Sequence, residues 1–328
     1  SFALDVTQNG GSRVDMLVSL AGTGDLQGLN VDRFAQDPRP KADVLFVIDS
    51  SCSMYDKQQL LSENFAAFIS YATTAVPGGL DYHLGVIDSD PRTDTGGKLR
   101  FEANNPRVIT NTMPNAEALF RTRVRVGLMG SGEEQFAELA VRALTAPLVN
   151  VENVGFLRPD AVLAVVAVTD AGDQSQLPES VVVGLLRNIK GAQRPQMFSY
   201  NVIGPFGASS PPGCEYDPYH EPTLHESLVT AFGGQKGEIC RQTWAMQLQD
   251  VGKTAFGYRK TFYLNALPDL TQVPRFVVKL NNIVMPETDA GGAVIWSYDP
   301  LSNSMTFSAQ YVPEPGQSLT IEYRTLCN

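Results

Sequence analysis

The chain has 328 residues and a formal net charge of -10, with 43% hydrophobic and 18% charged residues. This length exceeds the usual size of one domain, so we expect a large domain and a smaller one, with enough apolar material for a core. The acidic balance excludes a nucleic-acid-binding protein, because nothing in the sequence supplies the basic surface that phosphates require. The longest apolar runs have the length of a strand, so the sequence predicts no transmembrane segment.

Residues 1–40 are predicted to be β structure, since "RVDMLVSLAG" alternates between apolar and polar residues and lies between turn-rich segments. From 43 to about 256, apolar runs of strand length alternate with helical periods. The predicted strands are 43–48, 82–88, 98–104, 161–168, 196–203 and 236–240, and the predicted helices are 55–74, 114–121, 133–146, 178–190, 221–232 and 243–255. This alternation is typical of an α/β fold with a doubly wound, mostly parallel sheet.

After about residue 258, the sequence predicts five short strands with alternating faces, in "KTFYLNAL", "RFVVKLNN", "AVIWSYDP", "SMTFS" and "SLTIEYRTL". Such a unit is small for independent stability, and strand 13–21 is expected to pair with it. The predicted fold is therefore an α/β domain inserted into a small antiparallel β-sandwich. The predicted parts are 1–40 as an N-terminal β segment that joins the sandwich, 41–257 as the α/β domain and 258–328 as the C-terminal β-sandwich domain.

Hard oxygen ligands cluster where two predicted strands end. Asp49 follows the buried run "VLFVI", Ser51 and Ser53 come next on alternate positions, and Asp170 ends "AVLAVVAVTD". Ligands of a doubly wound sheet bind beyond the carboxyl ends of its strands, so these side chains are expected to converge. Carboxylates and hydroxyls are ligands for Mg²⁺, Ca²⁺ or Mn²⁺. In a competing interpretation, a serine caps the following helix and Asp49 accepts a hydrogen bond from a backbone amide.

Residues 43 to about 256 resemble the von Willebrand factor type A (vWA) domain with its metal-ion-dependent adhesion site (MIDAS). The resemblance lies in the D-x-S-x-S run of Asp49, Ser51 and Ser53, in the strand "YHLGVIDSD", and in Asp170 within "VAVTDAGD". The chain also resembles secreted vWA proteins of the predatory, myxobacterial type. The resemblance implies a cation held by serines, a threonine and aspartates, directly or through water, with one position left for a carboxylate of a partner protein.

The turn before helix 133–146 departs from the family pattern. Where vWA domains place a threonine after two glycines, this chain reads "MGSGEEQ", with Ser131, Glu133 and Glu134. These residues are either internal ligands of the cation or a capping arrangement for the helix. If a glutamate completes the site from within, the metal is structural or the site is closed to a partner.

Other titratable residues lie near the same edge of the sheet. The remaining aspartates of the strand-end loops are Asp88, Asp90, Asp94 and Asp173. A second cation there competes with the simpler interpretation that polar turns are rich in aspartate. The histidines are His83, His220 and His225, and the sequence contains no nucleophile elbow, no H-E-x-x-H and no Walker lysine. We therefore predict no enzymatic activity.

The four cysteines can be grouped in two pairs. Cys214 and Cys240 both follow strands that end at the same edge, so a disulfide between them is expected. The pair Cys52 and Cys327 follows by elimination and partly from the resemblance, and four free thiols are the alternative. Disulfides favour an oxidising compartment, so the predicted location is extracellular, cell-surface or periplasmic. The first residues carry no basic n-region or cleavage site, which fits a mature or trimmed form or a protein that is never exported.

The first functional hypothesis is a cation-dependent, adhesin-like protein-binding module, with Mg²⁺ preferred over Ca²⁺ or Mn²⁺. Its partner is a protein that offers a carboxylate. The alternatives are a structural subunit of an extracellular or surface assembly with a structural metal, and an intracellular vWA partner of an ATPase. An open coordination position favours the first hypothesis, and closure by Glu133 or Glu134 favours the structural subunit.

Overall fold

The computed structural model describes residues 28–36, 41–74, 80–92, 95–192, 197–207, 214, 216, 221–241, 243–256, 260–314 and 316–325. In chain order the strands are β1 (Leu29–Ala35), β2 (Lys41–Ile48), β3 (Asp81–Asp88), β4 (Ile109–Thr110), β5 (Val162–Val168), β6 (Phe198–Gly204), β7 (Lys236–Glu238), β8 (Thr261–Tyr263), β9 (Val277–Leu280), β10 (Ile283–Met285), β11 (Trp296–Asp299), β12 (Ser304–Phe307) and β13 (Ser318–Arg324). The α-helices are α1 (Tyr55–Glu63), α2 (Phe65–Thr74), α3 (Ala116–Arg123), α4 (Phe136–Leu144), α5 (Glu179–Ile189), α6 (Thr223–Phe232) and α7 (Trp244–Ala255).

The largest sheet is doubly wound, as the sequence predicts. Its strands lie in the order β4-β3-β2-β5-β6-β7. The pairs β2–β3, β2–β5, β5–β6 and β6–β7 are parallel, and β4 is antiparallel to β3. The chain runs outward from β2 through β3 to β4, then returns to β5 on the other side of β2. The order therefore reverses between β2 and β5, and a crevice opens at such a switch point beyond the carboxyl ends of the strands.

Strand β2 separates two apolar cores. Val44, Phe46 and Ile48 pack in the core that α1, α2, α3 and α7 cover, whereas Leu45 and Val47 pack in the core under α4, α5 and α6. Successive side chains of a strand point to opposite faces, so a strand covered on both faces needs an unbroken apolar run. The sequence "VLFVI" meets this requirement and fixes the site end of β2 rigidly in the core.

The second unit consists of two antiparallel sheets, one with the order β1-β13-β9-β10 and one with the order β11-β12-β8. Their shared core includes Phe262, Val278, Trp296, Phe307 and Ile321. Strand β1 precedes the α/β domain in the chain, yet it pairs with β13 from Leu29–Arg324 to Ala35–Ser318. The predicted fold class, a doubly wound sheet inserted into an antiparallel β-sandwich, is therefore confirmed.

Several element predictions differ from the structure. Residues 98–104 form turns and loop instead of a strand, because Leu99 is buried while Phe101 is exposed under the Arg107 guanidinium. The predicted helix 55–74 is divided at Asn64, whose side-chain amide donates to the carbonyl of Leu60 and ends α1. The edge strand β10 was not predicted, since its apolar side chains are exposed and show no alternation.

The predicted strand 13–21 lies outside the described residues. Within the described part of the chain, β1 joins the sandwich from the N-terminal side. The domain limits at 40–41 and 257–258 stay predictions. Within the described parts of the chain, no helix combines the length and the apolar character needed to cross a membrane.

Candidate metal site

Four of the predicted site residues, Asp49, Ser51, Ser53 and Asp170, follow the two strands that flank the switch point of the sheet. Asp49 directly follows β2, and its N–H donates to the carbonyl of Val168, the last residue of β5, at 3.0 Å. Asp170 follows β5 by two residues, and both carboxylates are fully buried. After Asp49 the chain turns through a short 3₁₀-helix, Cys52–Met54, into α1. This turn brings Ser51 and Ser53 over the ends of the two strands.

Three oxygens of the site form a row at hydrogen-bond distance. The hydroxyls of Ser51 and Ser53 are 3.0 Å apart, and the Ser53 hydroxyl donates to Asp170 Oδ1 at 3.0 Å. In an octahedral site with metal–oxygen bonds of about 2.0–2.1 Å, neighbouring ligands lie about 2.9–3.0 Å apart because they subtend a right angle at the metal. The spacing of these oxygens therefore fits the edges of a Mg²⁺ octahedron.

Asp49 is held by donors on both carboxylate oxygens. Its Oδ1 accepts the Ser51 N–H at 2.8 Å, and its Oδ2 accepts the Thr169 hydroxyl at 2.7 Å. The Gln58 amide donates to the Asp49 carbonyl at 2.8 Å. Burial raises the pKa of Asp49 to about 6; the Ser51 and Thr169 hydrogen bonds act against this, and the charge of Asp170 adds to it. Two buried carboxylates that repel each other are stabilised by a cation placed between them.

A lysine ammonium lies at the same site. Lys57, in the first turn of α1, is 3% exposed. Its Nζ donates to Asp170 Oδ2 at 2.7 Å and to the Ser53 carbonyl at 2.8 Å. Lys57, Gln58 and Thr169 are not among the site residues that the sequence predicts. The available signal for Lys57 was its position four residues after Ser53, which places the two on one side of a helix.

The turn that carries Ser131 docks on the metal loop and on Asp90. The Gly130 N–H donates to the Ser50 carbonyl at 3.0 Å. The Ser131 N–H and hydroxyl donate to the Asp90 carboxylate at 3.0 and 3.2 Å. Burial raises the pKa of Asp90, but hydrogen bonds from Arg92 and Ser131 outweigh it and hold the pKa below its ordinary value. Asp90 thus anchors this turn.

Glu133 and Glu134 lie in the same turn but face different surroundings. Glu133 is exposed, and Glu134 is buried, with its Oε2 accepting the Gln174 amide at 3.1 Å. Among the described residues, no group of three or more His, Cys, Asp or Glu side chains is placed to hold a metal. The ligand role of Ser131, Glu133 and Glu134 stays a prediction.

The other described aspartates of the strand-end loops have structural partners. The Asp173 carboxylate accepts the N–H groups of Phe136 and Ala137 at 3.2 and 2.9 Å, so it caps α4. Ser131, the cap in the alternative interpretation, accepts the Glu133 N–H before the helix begins. One oxygen of Asp88 accepts the Thr95 hydroxyl at 3.3 Å. Asp94 and His220 lie outside the described residues. His83 Nδ1 is 3.1 Å from the Phe156 carbonyl, away from the site.

Cys214 and Cys240 form a disulfide with a Cα–Cα distance of 5.7 Å. The sequence predicts this pair, because the two cysteines follow strands that end at the same edge of the sheet. The disulfide joins the segment after β6 to the residues after β7. Cys52 is exposed in the metal loop and has no disulfide partner among the described residues. Cys327 lies outside the described residues, so the pairing of Cys52 with Cys327 stays a prediction.

No family model matches the sequence, and no curated protein matches it. Among solved structures, proximal thread matrix protein 1 from the mussel byssus is 15% identical, over 71% of this chain and 52% of that chain, with a TM-score of 0.42. A von Willebrand factor type A structure from Catenulispora acidiphila is 13% identical, over 94% of this chain and 68% of that chain, with a TM-score of 0.40. The open conformation of the pilus adhesin SpaC from Lactobacillus rhamnosus GG is 11% identical, over 90% of this chain and 41% of that chain, with a TM-score of 0.44.

This chain thus spans about half the length of the byssus protein, with 52% of it covered. At these identities and TM-scores, the likenesses carry no argument about function.

Proposed function

We propose that this chain is a cation-dependent protein-binding module whose MIDAS-type site is formed by Asp49, Ser51, Ser53 and Asp170. The observation that carries the proposal is the row of Ser51 Oγ, Ser53 Oγ and Asp170 Oδ1, with 3.0 Å between neighbours, at the switch point of the sheet. Mg²⁺ suits hydroxyl ligands at this spacing and keeps water in its remaining positions, and Mn²⁺ or Ca²⁺ are the alternatives.

The metal loop reaches the surface of the domain. Cys52 is exposed and Ser53 is half-buried, so a cation held by the hydroxyls has one side toward solvent. A divalent cation with an open position attracts an external carboxylate, which makes an Asp or Glu of a partner protein the ligand that we propose. Tyr55 and Met129, which flank the loop, are 67% and 95% exposed. Aromatic and methionine side chains are enriched at protein interfaces, which supports a protein as the partner.

An extracellular, cell-surface or periplasmic location belongs to the same proposal. The disulfide between Cys214 and Cys240 supports it, because disulfides persist in oxidising compartments and are rare in the cytosol. A protein that works outside the cell meets free divalent cations and the carboxylates of other surface proteins. The location and the cation-dependent function therefore agree.

The second candidate function is that of a structural subunit of a surface assembly. One observation favours it: Lys57 already pairs with Asp170 inside the fold, at 2.7 Å. A site neutralised from within stays ordered without an external ion. In that case a metal only reinforces the packing of the domain.

Calorimetric titration of the full chain with Mg²⁺ and with Mn²⁺ tests the proposal. Asp49→Ala is expected to abolish cation binding while the circular dichroism spectrum stays that of a folded protein, since it removes one of two charges that compensate the ion. Asp160→Ala is the control, because Asp160 is exposed and pairs with Lys41 at the opposite end of β2. If Asp49→Ala and the wild type bind the cation with equal affinity, the proposed metal site is wrong.

A carboxylate probe separates the two candidates. A fluorescent peptide with a single glutamate is titrated with the cation-loaded protein, and its polarisation is measured before and after addition of EDTA. Binding that EDTA reverses supports the open site. A protein that takes up the cation and leaves the peptide free supports the structural subunit.

A further inference from the structure

Lys57 is buried at a place that is unfavourable for a positive charge. It lies in the first turn of α1, where the unpaired backbone N–H groups already give the helix a positive end. Lysine is almost never buried unless it is paired, and the side chains of Lys57 and Asp170 are 4% and 0% exposed. Lys57 and Asp170 therefore form a buried ion pair, which differs from the weak ion pairs of protein surfaces.

The ammonium of Lys57 occupies the side of Asp170 that the serine hydroxyl leaves open. Ser53 Oγ donates to Oδ1 of Asp170, and Lys57 Nζ donates to Oδ2 and to the Ser53 carbonyl. The lysine ammonium thus pairs with one of the carboxylates that a divalent ion would need, and it also ties the backbone of the serine that would supply a hydroxyl ligand. This contact keeps the metal loop and the end of β5 in register when no divalent ion is present.

The formal charges of the site show how Lys57 affects a divalent cation. Asp49 and Asp170 contribute two negative charges, and Lys57 contributes one positive charge within hydrogen-bond distance of the second. Exposed Asp56 lies farther from the ammonium, at 3.9 Å. A divalent cation therefore meets a weaker attraction than the two carboxylates alone would give, because the ammonium repels it. Once the cation is bound, the cluster carries one excess positive charge, which matches one carboxylate of a partner.

We propose that Lys57 is a built-in cation that competes with the divalent ion for Asp170 and thereby lowers the affinity of the site for that ion. This inference rests on the proposed function and concerns its regulation. Lys57 is a residue that acts through Asp170, so its effect is on cation affinity and on the stability of the cation-free protein.

The test compares cation affinities of full-length variants by calorimetry with Mn²⁺. Lys57→Met removes the ammonium, and Lys57→Gln removes the charge but keeps an amide donor for Asp170. We expect both variants to bind Mn²⁺ at least tenfold more tightly than the wild type, which corresponds to about 1.4 kcal/mol.

Lys41→Met is the matched control, because it changes the net charge equally at the other end of β2. The two ends of β2 are roughly 23 Å apart at about 3.3 Å per residue, beyond the screening length of about 8 Å at physiological salt. We therefore expect this variant to keep the wild-type affinity.

Thermal unfolding gives a second readout. Without divalent ions the Lys57 variants are expected to melt below the wild type, since they leave Asp170 buried and uncompensated. Saturating Mn²⁺ is expected to raise the Tm of the variants more than that of the wild type, because tighter binding stabilises more. If Lys57→Met does not fold, Lys57→Gln supplies both measurements.

The outcomes separate this inference from the proposed function. If the wild type binds Mn²⁺ and the Lys57 variants bind it with equal or lower affinity, the competition by Lys57 is wrong. The proposed cation-dependent function is then unaffected. If only the Lys57 variants bind Mn²⁺, the competition is supported. The wild-type chain is then better explained as a structural subunit than as a cation-dependent binding module. If neither the wild type nor the variants bind Mn²⁺, both proposals are wrong.

Discussion

His225 lies in α6 with both ring nitrogens buried and without a hydrogen-bond partner in the part of the chain that the structure describes. Its ring packs 5.1 Å from that of Phe136 and 6.3 Å from that of Tyr200. Burial lowers the pKa of His225, although the charge of Asp173 acts against it. The folded state therefore holds this side chain neutral at a pH where the unfolded chain takes up a proton.

The expected consequence is an acid-sensitive contribution to stability. The unfolded histidine binds a proton as the pH falls through about 6.5, and the folded one does not, so the free energy of unfolding decreases below that pH. His225→Phe should lose about 1 kcal/mol less stability than the wild type between about pH 7.5 and about pH 5.5. Urea denaturation at both values measures this difference. Identical pH dependence of the two proteins would contradict the neutral, buried state of His225.

The site residues differ in how far the sequence predicts them. Asp49 and Asp170 could be predicted because each follows an apolar strand, and the parallel sheet then brings the two strand ends together. Thr169 could not be predicted as a site residue because a threonine next to an aspartate is not a distinctive sequence pattern. Lys57 could not be predicted as a site residue because a lysine in the first turn of a helix is usually on the surface. Its burial depends on β5, which is more than a hundred residues away in the chain.

The turn before α4 contacts the metal loop so closely that one of its glycines has no room for a side chain. A Cβ at Gly130 would lie 2.1 Å from Ser50 Oγ and 2.9 Å from the Ser50 carbonyl oxygen. The hydroxyl can rotate, but the carbonyl belongs to the loop that also carries Ser51. The position of this turn therefore depends on glycine.

We expect Gly130→Ala to push the turn off the metal loop. The change should destabilise the protein by about 1–3 kcal/mol, as overpacking does, and should weaken cation binding. Gly132→Ala is the matched control, because a Cβ at Gly132 meets no atom within 4 Å. Thermal unfolding and calorimetric titration measure both effects. Equal behaviour of the two variants would show that the contact between the turn and the loop has no influence on the site.

Elements covered on both faces follow from the sequence, and edge elements do not. The runs that form β2 and β5 are apolar throughout because helices cover both sides of them. The edge strand β10 exposes Ile283 and Val284, so its residues lack the alternation that identifies a strand. Residues 98–104 alternate but form a loop, since only Leu99 has a place in the core. Tertiary packing decides these cases.

The N-terminal and C-terminal parts of the chain meet through a buried aspartate. Asp32 of β1 is 2% exposed and accepts the Tyr323 hydroxyl at 2.7 Å. It also accepts the backbone N–H and the side-chain amide of Asn265 at 3.0 and 2.8 Å. Burial and the hydrogen bond to Asp32 raise the pKa of Tyr323. Three donors of the sandwich thus depend on a strand that precedes the α/β domain.

Asp32→Ala is expected to destabilise the sandwich by roughly 3 kcal/mol or more, because it leaves buried donors without an acceptor. The metal site should keep its cation affinity, since the residues that donate hydrogen bonds to Asp32 all belong to the sandwich. Hydrogen exchange should show lost protection in β8 to β13 and retained protection in β2 and β5. Arg33→Ala, at the exposed neighbouring position, is the control. Loss of protection that spreads evenly over both parts would contradict their independence.

The whole-molecule architecture was predictable because two kinds of periodicity divide the chain. Helical and strand periods alternate in the α/β domain, whereas short strands alone fill the C-terminal part, and a small sheet needs additional strands. The register of β1 on β13 was not predictable, since strands this short and distant in sequence contain no information on their partner.

A crystal of the full chain soaked in Mn²⁺ tests the central claim, a divalent-cation site at the switch point, most directly. We expect an anomalous scattering peak from a Mn²⁺ ion bonded to Ser51 Oγ and Ser53 Oγ beside Asp170. Lys57 Nζ is then expected to have moved away from its 2.7 Å contact with Asp170 Oδ2. Soaked crystals with no peak at this position, and with Lys57 still in contact with Asp170, would contradict it.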